Sequence, residues 1–163
     1  MVLQVAVVVS MGNVENNRSG YRLSADAGEM DVDAVHAYLT HSYWAQGIPR
    51  PVVANAIAGS VCFGVFHDQE QVGFARVITD RATFAYLCDV YVLEKHRGRG
   101  LAAWLMEAVV LHPHLQGLRR FMLATRDAHA LYEKFGFAPV AQPEIFMAIH
   151  RPGIYLTNPP DAV

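Results

Sequence analysis

Hydrophobic residues recur at two different spacings along the chain, and each spacing predicts a different kind of element. Over residues 31–44 they recur every three or four positions, so a helix is expected there. Pro49 and Pro51 interrupt that pattern. Residues 52–58 predict a shorter helix that Gly59 closes, because glycine favours a helix end.

Runs rich in β-branched and aromatic residues, separated by polar turns, predict strands. The expected strands are residues 21–24, 61–66, 71–78, 83–92, 119–124 and 145–149. Two more stretches predict helices, one over residues 100–111 that stops before Pro113 and one over residues 127–135 that Gly136 caps. The first of these two helices is apolar on nearly every side, which predicts deep burial.

The order of the expected elements is β-α-α-β-β-β-α-β-α-β. The polar turns that join the three strands between residues 61 and 92 are too short for anything but antiparallel neighbours. The helix over residues 100–111 separates two strands, which predicts a parallel crossover. The fold class is therefore α/β (α+β), with a mixed sheet and flanking helices.

The length of 163 residues suits one domain, which is expected over residues 21–163. Residues 1–20 turn from valine-rich to polar and are expected to be an N-terminal tail or leader. The apolar run over residues 5–9 is far shorter than the roughly 18 residues of a membrane-spanning helix. Residues 151–163 are either loose or reach a neighbouring subunit, which leaves a homodimer open.

Composition removes several classes of function. The chain has 13 Lys and Arg against 15 Asp and Glu, so it lacks the excess of positive charge with which proteins bind the phosphate backbone of nucleic acids. Neither nucleic acid nor membrane is an expected partner. Cys62 and Cys88 lie 26 positions apart without zinc or disulfide spacing, which favours a reducing cytoplasm. The eight His residues are scattered, and no metal site is expected.

The most informative segment follows the strand over residues 83–92. It reads Lys95-His96-Arg97-Gly98-Arg99-Gly100 and runs directly into a helix. Glycines let backbone N–H groups approach an anion, the helix start carries partial positive charge, and the arginines add more. The segment fits a pyrophosphate, although a cationic turn without a ligand would have the same sequence.

Two motifs together resemble those of the GNAT acetyltransferases. The loop matches the R/Q-x-x-G-x-G/A motif of that family, with Lys95 in place of the first Arg or Gln. Residues 128–137, Ala-His-Ala-Leu-Tyr-Glu-Lys-Phe-Gly-Phe, match its A-x-x-L-Y-x-x-x-G-F segment about 30 residues further on. Family members often have Asn where this chain has Thr125, whose hydroxyl is able to cap the helix instead.

The resemblance implies a sheet with a splayed parallel strand pair that holds acetyl-CoA as co-substrate, with no metal. The pantetheine arm would pair with the strand end and the pyrophosphate with the loop. The cofactor-binding residues that it implies are Val90, Tyr91, Val92, Arg97, Gly98, Arg99, Gly100, Leu101, Ala102 and Thr125. The implied activity is acetyl transfer to a primary amine of a small molecule or peptide, by direct attack in a ternary complex.

Two residues are candidates for catalysis. Tyr132 is expected to protonate the leaving thiolate, because a phenol with a pKa of about 10 matches the basicity of a thiolate. Asp89 is a carboxylate inside an apolar strand, so it is either the general base or the partner of Arg76 or Arg81. Strand alternation places Cys88 on the opposite face from Asp89 unless a bulge intervenes.

Tyr43, Trp44 and Phe146 are candidate walls of the acceptor pocket, although core packing explains each of them slightly better. Three other functions remain open. The chain could transfer a longer acyl group, it could bind acyl-CoA without catalysis as a sensor or regulatory module, or it could bind a nucleotide phosphate through the same loop.

Overall fold

A computed structural model describes residues 16–157 as a mixed α/β fold around one six-stranded sheet. The strands are β1 Asn16–Arg18, β2 Tyr21–Ser24, β3 Val61–His67, β4 Glu70–Thr79, β5 Phe84–Val92 and β6 Arg120–Leu123. The helices are α1 Val32–Leu39, α2 Arg50–Ala58, α3 Leu101–Leu111, α4 His129–Glu133 and α5 Ile154–Thr157. The strands follow one another across the sheet in chain order.

The strand pairing confirms the expected fold class. The strands β1 to β5 pair with one another in antiparallel fashion, whereas β6 is parallel to β5. The helix α3 makes the crossover between these two strands, as a parallel connection requires. The mostly antiparallel sheet with one parallel pair is therefore what the element order predicts.

Each face of the sheet carries its own apolar core. The helix α3 packs on one face, and six of its residues, among them Trp104, Leu105 and Met106, are buried. This confirms the deep burial that its sequence predicts. The helices α1 and α2 pack on the other face around Val35, Phe74 and neighbouring apolar residues.

The parallel pair splays apart, which opens a notch in the sheet. The register pairs Phe84 with Arg120 and ends where Leu87 pairs with Leu123. The strand β5 nevertheless continues to Val92, while β6 stops at Leu123. Five residues of β5 therefore border a gap that no strand of the described chain fills.

A bulge in β5 lies where this notch begins. The register between β4 and β5 shifts between Phe74 and Arg76, and Asp89 has a φ of 55°. An extra residue of this kind reverses the alternation of side chains. Arg76 is the cross-strand partner of Cys88, so their side chains share a face, and the Arg76 side chain also binds Asp89. Asp89 consequently lies on the same sheet face as Cys88. Simple alternation, which separates the two, does not hold here.

The expected strand over residues 145–149 is wrong. A short 3-10 turn occupies Pro143–Ile145, and residues 146–150 form no regular element. The side chains of Met147 and Ile149 are 98% and 90% exposed. Alternating apolar residues favour a strand, but a strand also needs a neighbour to pair with, and the described chain provides none.

The N-terminal segment and the length of α1 also differ from what the sequence predicts. The polar segment expected to be a tail joins the sheet from Asn16 onward as β1, whereas residues 1–15 lie outside the described residues. The helix α1 ends at Leu39 instead of continuing to residue 44. The Ser42 hydroxyl donates to the Leu39 carbonyl and accepts from the Ala45 N–H, so a local turn replaces further helix.

Within residues 16–157, no helix has the length and apolar character needed to cross a membrane.

Candidate active site

Two glycines in the left-handed conformation shape the loop between β5 and α3. Gly98 has a φ of 74° and Gly100 a φ of 76°. Residues with a Cβ atom rarely adopt such angles. A Cβ atom at either position would meet no other atom within 4 Å. The backbone conformation therefore requires glycine, while the space above the loop is open to a ligand.

This loop lies at the N-terminus of α3. Gly100 precedes the helix, and no side chain caps it. The first N–H groups of a helix have no partner inside it, and the helix dipole makes them an attractive site for an anion. Arg99 is exposed beside them, and the Arg97 Nε donates to the Val92 carbonyl at 2.9 Å, which ties the loop to the end of β5.

The backbone of β5 is available on one side along the notch. From Cys88 onward β5 has β4 on one side and no β6 partner on the other. Tyr91 and Val92 are buried, and Val90 is half-buried. Backbone N–H and C=O groups in such a place need partners, so an extended ligand arm laid in the notch has donors and acceptors to pair with.

Tyr132 lies on α4, which follows β6. Its side chain packs against the core on the α3 face of the sheet. Burial raises the pKa of the Tyr132 hydroxyl above its ordinary value, and Tyr43 and Asp127 raise it further. The hydroxyl forms no hydrogen bond with another residue of the described chain, and it stays protonated at neutral pH. It is therefore able to donate a proton.

Thr125 precedes the same helix, and its Oγ1 accepts a hydrogen bond from the Ala128 N–H at 3.0 Å. Ala128 is the N-cap residue of α4 and no side chain caps this helix, so Thr125 holds the turn before α4 and the expected cap by its hydroxyl is not formed. A cavity of about 250 Å³ is lined by both Thr125 and Tyr132. Its walls come from β6, α4 and residues 137–140, and neither the glycine loop nor the end of β5 contributes to it.

Asp89 lies at the bulge and is paired with Arg76, which is one of the two roles that its sequence position allows. The Arg76 Nε donates to Asp89 Oδ2 at 2.7 Å, and the two side chains are only 15% and 10% exposed. The Trp44 Nε1 donates to Asp89 Oδ1 at 3.0 Å. The carboxylate is therefore held in place from two sides at the beginning of the notch.

Aromatic side chains surround this carboxylate. Tyr43 and Trp44 are 54% and 42% exposed, with their rings edge to face at 4.9 Å. The Arg126 guanidinium lies 4.2 Å from the centre of the Tyr43 ring, which brings the α1–α2 connection close to the residues before α4. These two candidate pocket residues thus lie near Asp89 and Tyr132 and are exposed rather than buried in the core.

Tyr38 joins the site although no sequence motif singles it out. Its ring stacks on that of Tyr91 at 3.8 Å, and its hydroxyl accepts from Arg97 at 3.5 Å. The Tyr91 hydroxyl is buried and has no hydrogen-bond partner in the described part of the chain. These contacts depend on how α1 lies over β5, and no local sequence pattern indicates them.

Phe146 does not join the other candidates. It packs on Arg120 at the start of β6, with 4.9 Å between the guanidinium and the ring centre, and it lines a separate cavity of about 290 Å³.

Burial raises the pKa values of the Cys62 and Cys88 thiols to about 12, so neither is a nucleophile at neutral pH. Among residues 16–157, no group of three or more His, Cys, Asp or Glu side chains is placed to hold a metal ion.

Comparisons with known proteins agree with this architecture. A family model described as the acetyltransferase (GNAT) family matches residues 29–137, which is more than half of the chain. A protein of Gibberella zeae named "Putative acetyltransferase" is 36% identical over 140 residues, which cover 72% of this chain and 78% of the relative.

Solved structures give the same result. One is a crystal structure from Xanthomonas campestris pv. campestris, described as a "putative acetyltransferase belonging to the GNAT family". Its sequence is 51% identical and the TM-score is 0.82, and the match covers 84% of this chain and 97% of that one. A Clostridium acetobutylicum structure described as a "predicted acetyltransferase with acetyl-CoA" shares the fold with a TM-score of 0.57, at 17% identity, over 80% of this chain and 94% of that one.

These matches define the class of protein as an acyltransferase. The chain belongs to the GNAT acetyltransferase family.

Proposed function

We propose that this protein is an acetyl-CoA-dependent N-acetyltransferase that moves an acetyl group to a primary amine. The observation that carries the proposal is the continuity of the notch with the glycine loop. The unpaired edge of β5 leads directly to Gly98, Gly100 and the N-terminus of α3. A ligand with an extended amide-containing arm and a pyrophosphate at its end fits both parts.

The chemistry requires three groups of the protein. The amine attacks the thioester carbonyl, so negative charge develops on its oxygen, and a backbone N–H of residues 90–92 supplies the hydrogen bond that stabilises it. The carbon–sulfur bond then breaks, and the Tyr132 hydroxyl protonates the departing thiolate. The amine gives one proton to water and attacks in its neutral form, and the proton that it still loses on forming the amide passes to the Asp89 carboxylate, which is ion-paired with Arg76.

The acceptor amine is proposed to enter beside Asp89. The carboxylate attracts a cationic amine, and the exposed rings of Tyr43 and Trp44 offer it an aromatic wall. A small molecule and a peptide terminus both fit an opening of this kind. Phe146 packs on Arg120 and lines a different cavity from the one that Tyr132 lines, so we leave it out of the proposed pocket.

The proposal is tested by calorimetric titration of the protein with acetyl-CoA, CoA and ATP, followed by an assay of CoA release with a panel of amines. Binding of acetyl-CoA and CoA with turnover of an amine is expected. Binding without turnover of any amine would instead indicate an acyl-CoA sensor. Equal binding of ATP would indicate a phosphate site, and faster turnover of longer thioesters would indicate a different acyl group.

Replacement of Asp89 by Asn tests the role of its carboxylate. Asp89→Asn is expected to lower kcat/KM by about tenfold or more, because the amine loses both its attraction and its proton acceptor. It also leaves Arg76 without a charged partner, so we expect the free energy of unfolding to fall by about 3 kcal/mol. Steady-state measurement of kcat/KM and denaturant unfolding measure the two effects.

Trp44→Phe is the matched control, since it removes one hydrogen bond to Asp89 but keeps the carboxylate and its ion pair with Arg76. It is expected to lose much less of kcat/KM than Asp89→Asn does. An unchanged kcat/KM in Asp89→Asn would restrict Asp89 to its structural pairing with Arg76.

A further inference from the structure

One arginine at the proposed acceptor opening has no acidic partner among residues 16–157. Arg126 follows Thr125 in the segment before α4, and its side chain is exposed. Its guanidinium lies 4.2 Å from the centre of the Tyr43 ring, and it takes part in none of the ion pairs of the described chain. A guanidinium held on a ring keeps a planar fork of N–H donors that matches a carboxylate. Arg126 is therefore an available anion-binding group beside the proposed acceptor pocket.

The Tyr43 ring belongs to an aromatic wall whose other end meets Asp89. The rings of Tyr43 and Trp44 contact each other edge to face at 4.9 Å, and both are partly exposed. The Trp44 Nε1 donates to Asp89 Oδ1 at 3.0 Å. One pair of rings thus connects a carboxylate at one end with the Arg126 guanidinium at the other.

The charges at the two ends of this wall differ in what already balances them. Asp89 is paired with Arg76, whose Nε lies 2.7 Å from Asp89 Oδ2. Arg126 has no such partner in the described chain. Asp127 follows it but forms no ion pair with it, and lies near Tyr132, whose pKa it raises. The donors of the Arg126 guanidinium are therefore unoccupied by any carboxylate of the described residues.

The same wall passes beside the proposed acid. Tyr43 lies close enough to Tyr132 to raise the pKa of its hydroxyl, as burial does more strongly. A molecule that lies along the rings from Asp89 to Arg126 is therefore near both proposed catalytic groups. Its two ends meet groups of opposite charge.

We propose that the acceptor is an amino acid, a primary amine with a carboxylate on the same molecule, and that Arg126 selects it. The inference rests on the proposed function and names the substrate class of that site. The amine lies at the Asp89 end, and the carboxylate accepts paired hydrogen bonds from the Arg126 guanidinium. The nitrogen forms the bond to the acetyl carbon as the carbon–sulfur bond breaks, and the carboxylate is unchanged by the reaction.

Arg126 is what distinguishes this class of acceptor, because the aromatic wall alone fits many amines. A plain alkylamine leaves the guanidinium unused. A polyamine brings a second ammonium group toward it, which like charges disfavour. A peptide with an amidated C-terminus has the amine without the carboxylate.

Steady-state measurement of CoA release tests the inference with matched pairs of acceptors. Glycine, β-alanine, 4-aminobutyrate and 6-aminohexanoate are each compared with the alkylamine that lacks the carboxylate, so the spacing between the two groups is varied. At least one amino acid is expected to exceed its alkylamine in kcat/KM by at least about tenfold, as a hydrogen bond to a charged group allows. Equal values within every pair, or faster turnover of spermidine or an amidated peptide, would overturn the proposal.

Replacement of Arg126 assigns the preference to this side chain. Arg126→Gln is expected to lower kcat/KM for the preferred amino acid by at least about tenfold and to bring the ratio within that pair to about one. Arg126→Lys retains the charge without the fork of donors and should restore part of the preference. Arg81→Gln is the matched control, because Arg81 is exposed in the turn before β5, at the end of that strand away from the notch. A ratio as high in Arg126→Gln as in Arg81→Gln would contradict the assignment.

The result is distinguishable from a failure of the proposed function. If amino acids and alkylamines are acetylated equally well, the acetyltransferase stands and Arg126 does not select the acceptor. If no amine is acetylated, the proposed function fails, and calorimetric titration with the same amino acids in the presence of CoA decides the rest. Binding that Arg126→Gln abolishes would support the carboxylate site, and no binding would remove it.

Discussion

Gly100→Val should reduce the affinity for acetyl-CoA by at least about a hundredfold, which corresponds to two lost hydrogen bonds between backbone N–H groups and charged phosphate oxygens. The valine side chain occupies the open space above the loop, where no atom of the described chain lies within 4 Å. It also disfavours the φ of 76° that the backbone adopts at this position. Calorimetric titration with acetyl-CoA measures the loss directly.

Gly117→Val is the matched control for backbone strain. Gly117 has a φ of 70°, and a Cβ atom there also meets nothing within 4 Å, but the residue lies outside the notch, before β6. Both variants should lose about 1–2 kcal/mol of unfolding free energy, and only Gly100→Val should lose affinity. Equal affinities in the two variants would mean that the loop does not hold the pyrophosphate.

Most of the fold follows from local sequence, because its connections are short. The turns before β4 and β5 leave only antiparallel pairing, and the long apolar helix α3 has to cover a sheet face. The strand expected over residues 145–149 fails for a different reason. The alternation of apolar residues is present in the sequence, but pairing is a tertiary property, and Met147 and Ile149 are exposed instead of paired into the sheet.

The residues of the candidate site also fall into two groups, those that local sequence indicates and those that only tertiary packing places. Gly98, Gly100 and Tyr132 belong to contiguous motifs, so the residues that flank them along the chain are enough to indicate them. Asp89 could not be placed from sequence, because its position depends on a bulge that reverses strand alternation. Its contact with Trp44 joins residues 45 positions apart, and only the packing of the α1–α2 connection over β5 creates it.

Tyr132→Phe should lower kcat by at least about tenfold, because general acid catalysis typically contributes roughly 10²–10⁴-fold. The departing thiolate would then have to take its proton from water. The ring itself is retained, so its packing against the core and the affinity for acetyl-CoA should change little. Because burial raises the pKa of Tyr132, the acid form persists as pH rises, and the wild-type rate should show no decline from phenol ionisation below about pH 10.

Tyr86→Phe is the control for loss of a phenol hydroxyl as such. Burial also raises the pKa of Tyr86, and Cys88 and Asp89 add to the rise, but the residue lies in the part of β5 that pairs with β6, before the notch opens. Its kcat should match that of the wild type. Steady-state measurement of CoA release compares the three proteins. If Tyr132→Phe turns over as fast as Tyr86→Phe, the thiolate is protonated by another group and Tyr132 serves only to pack α4 against the sheet.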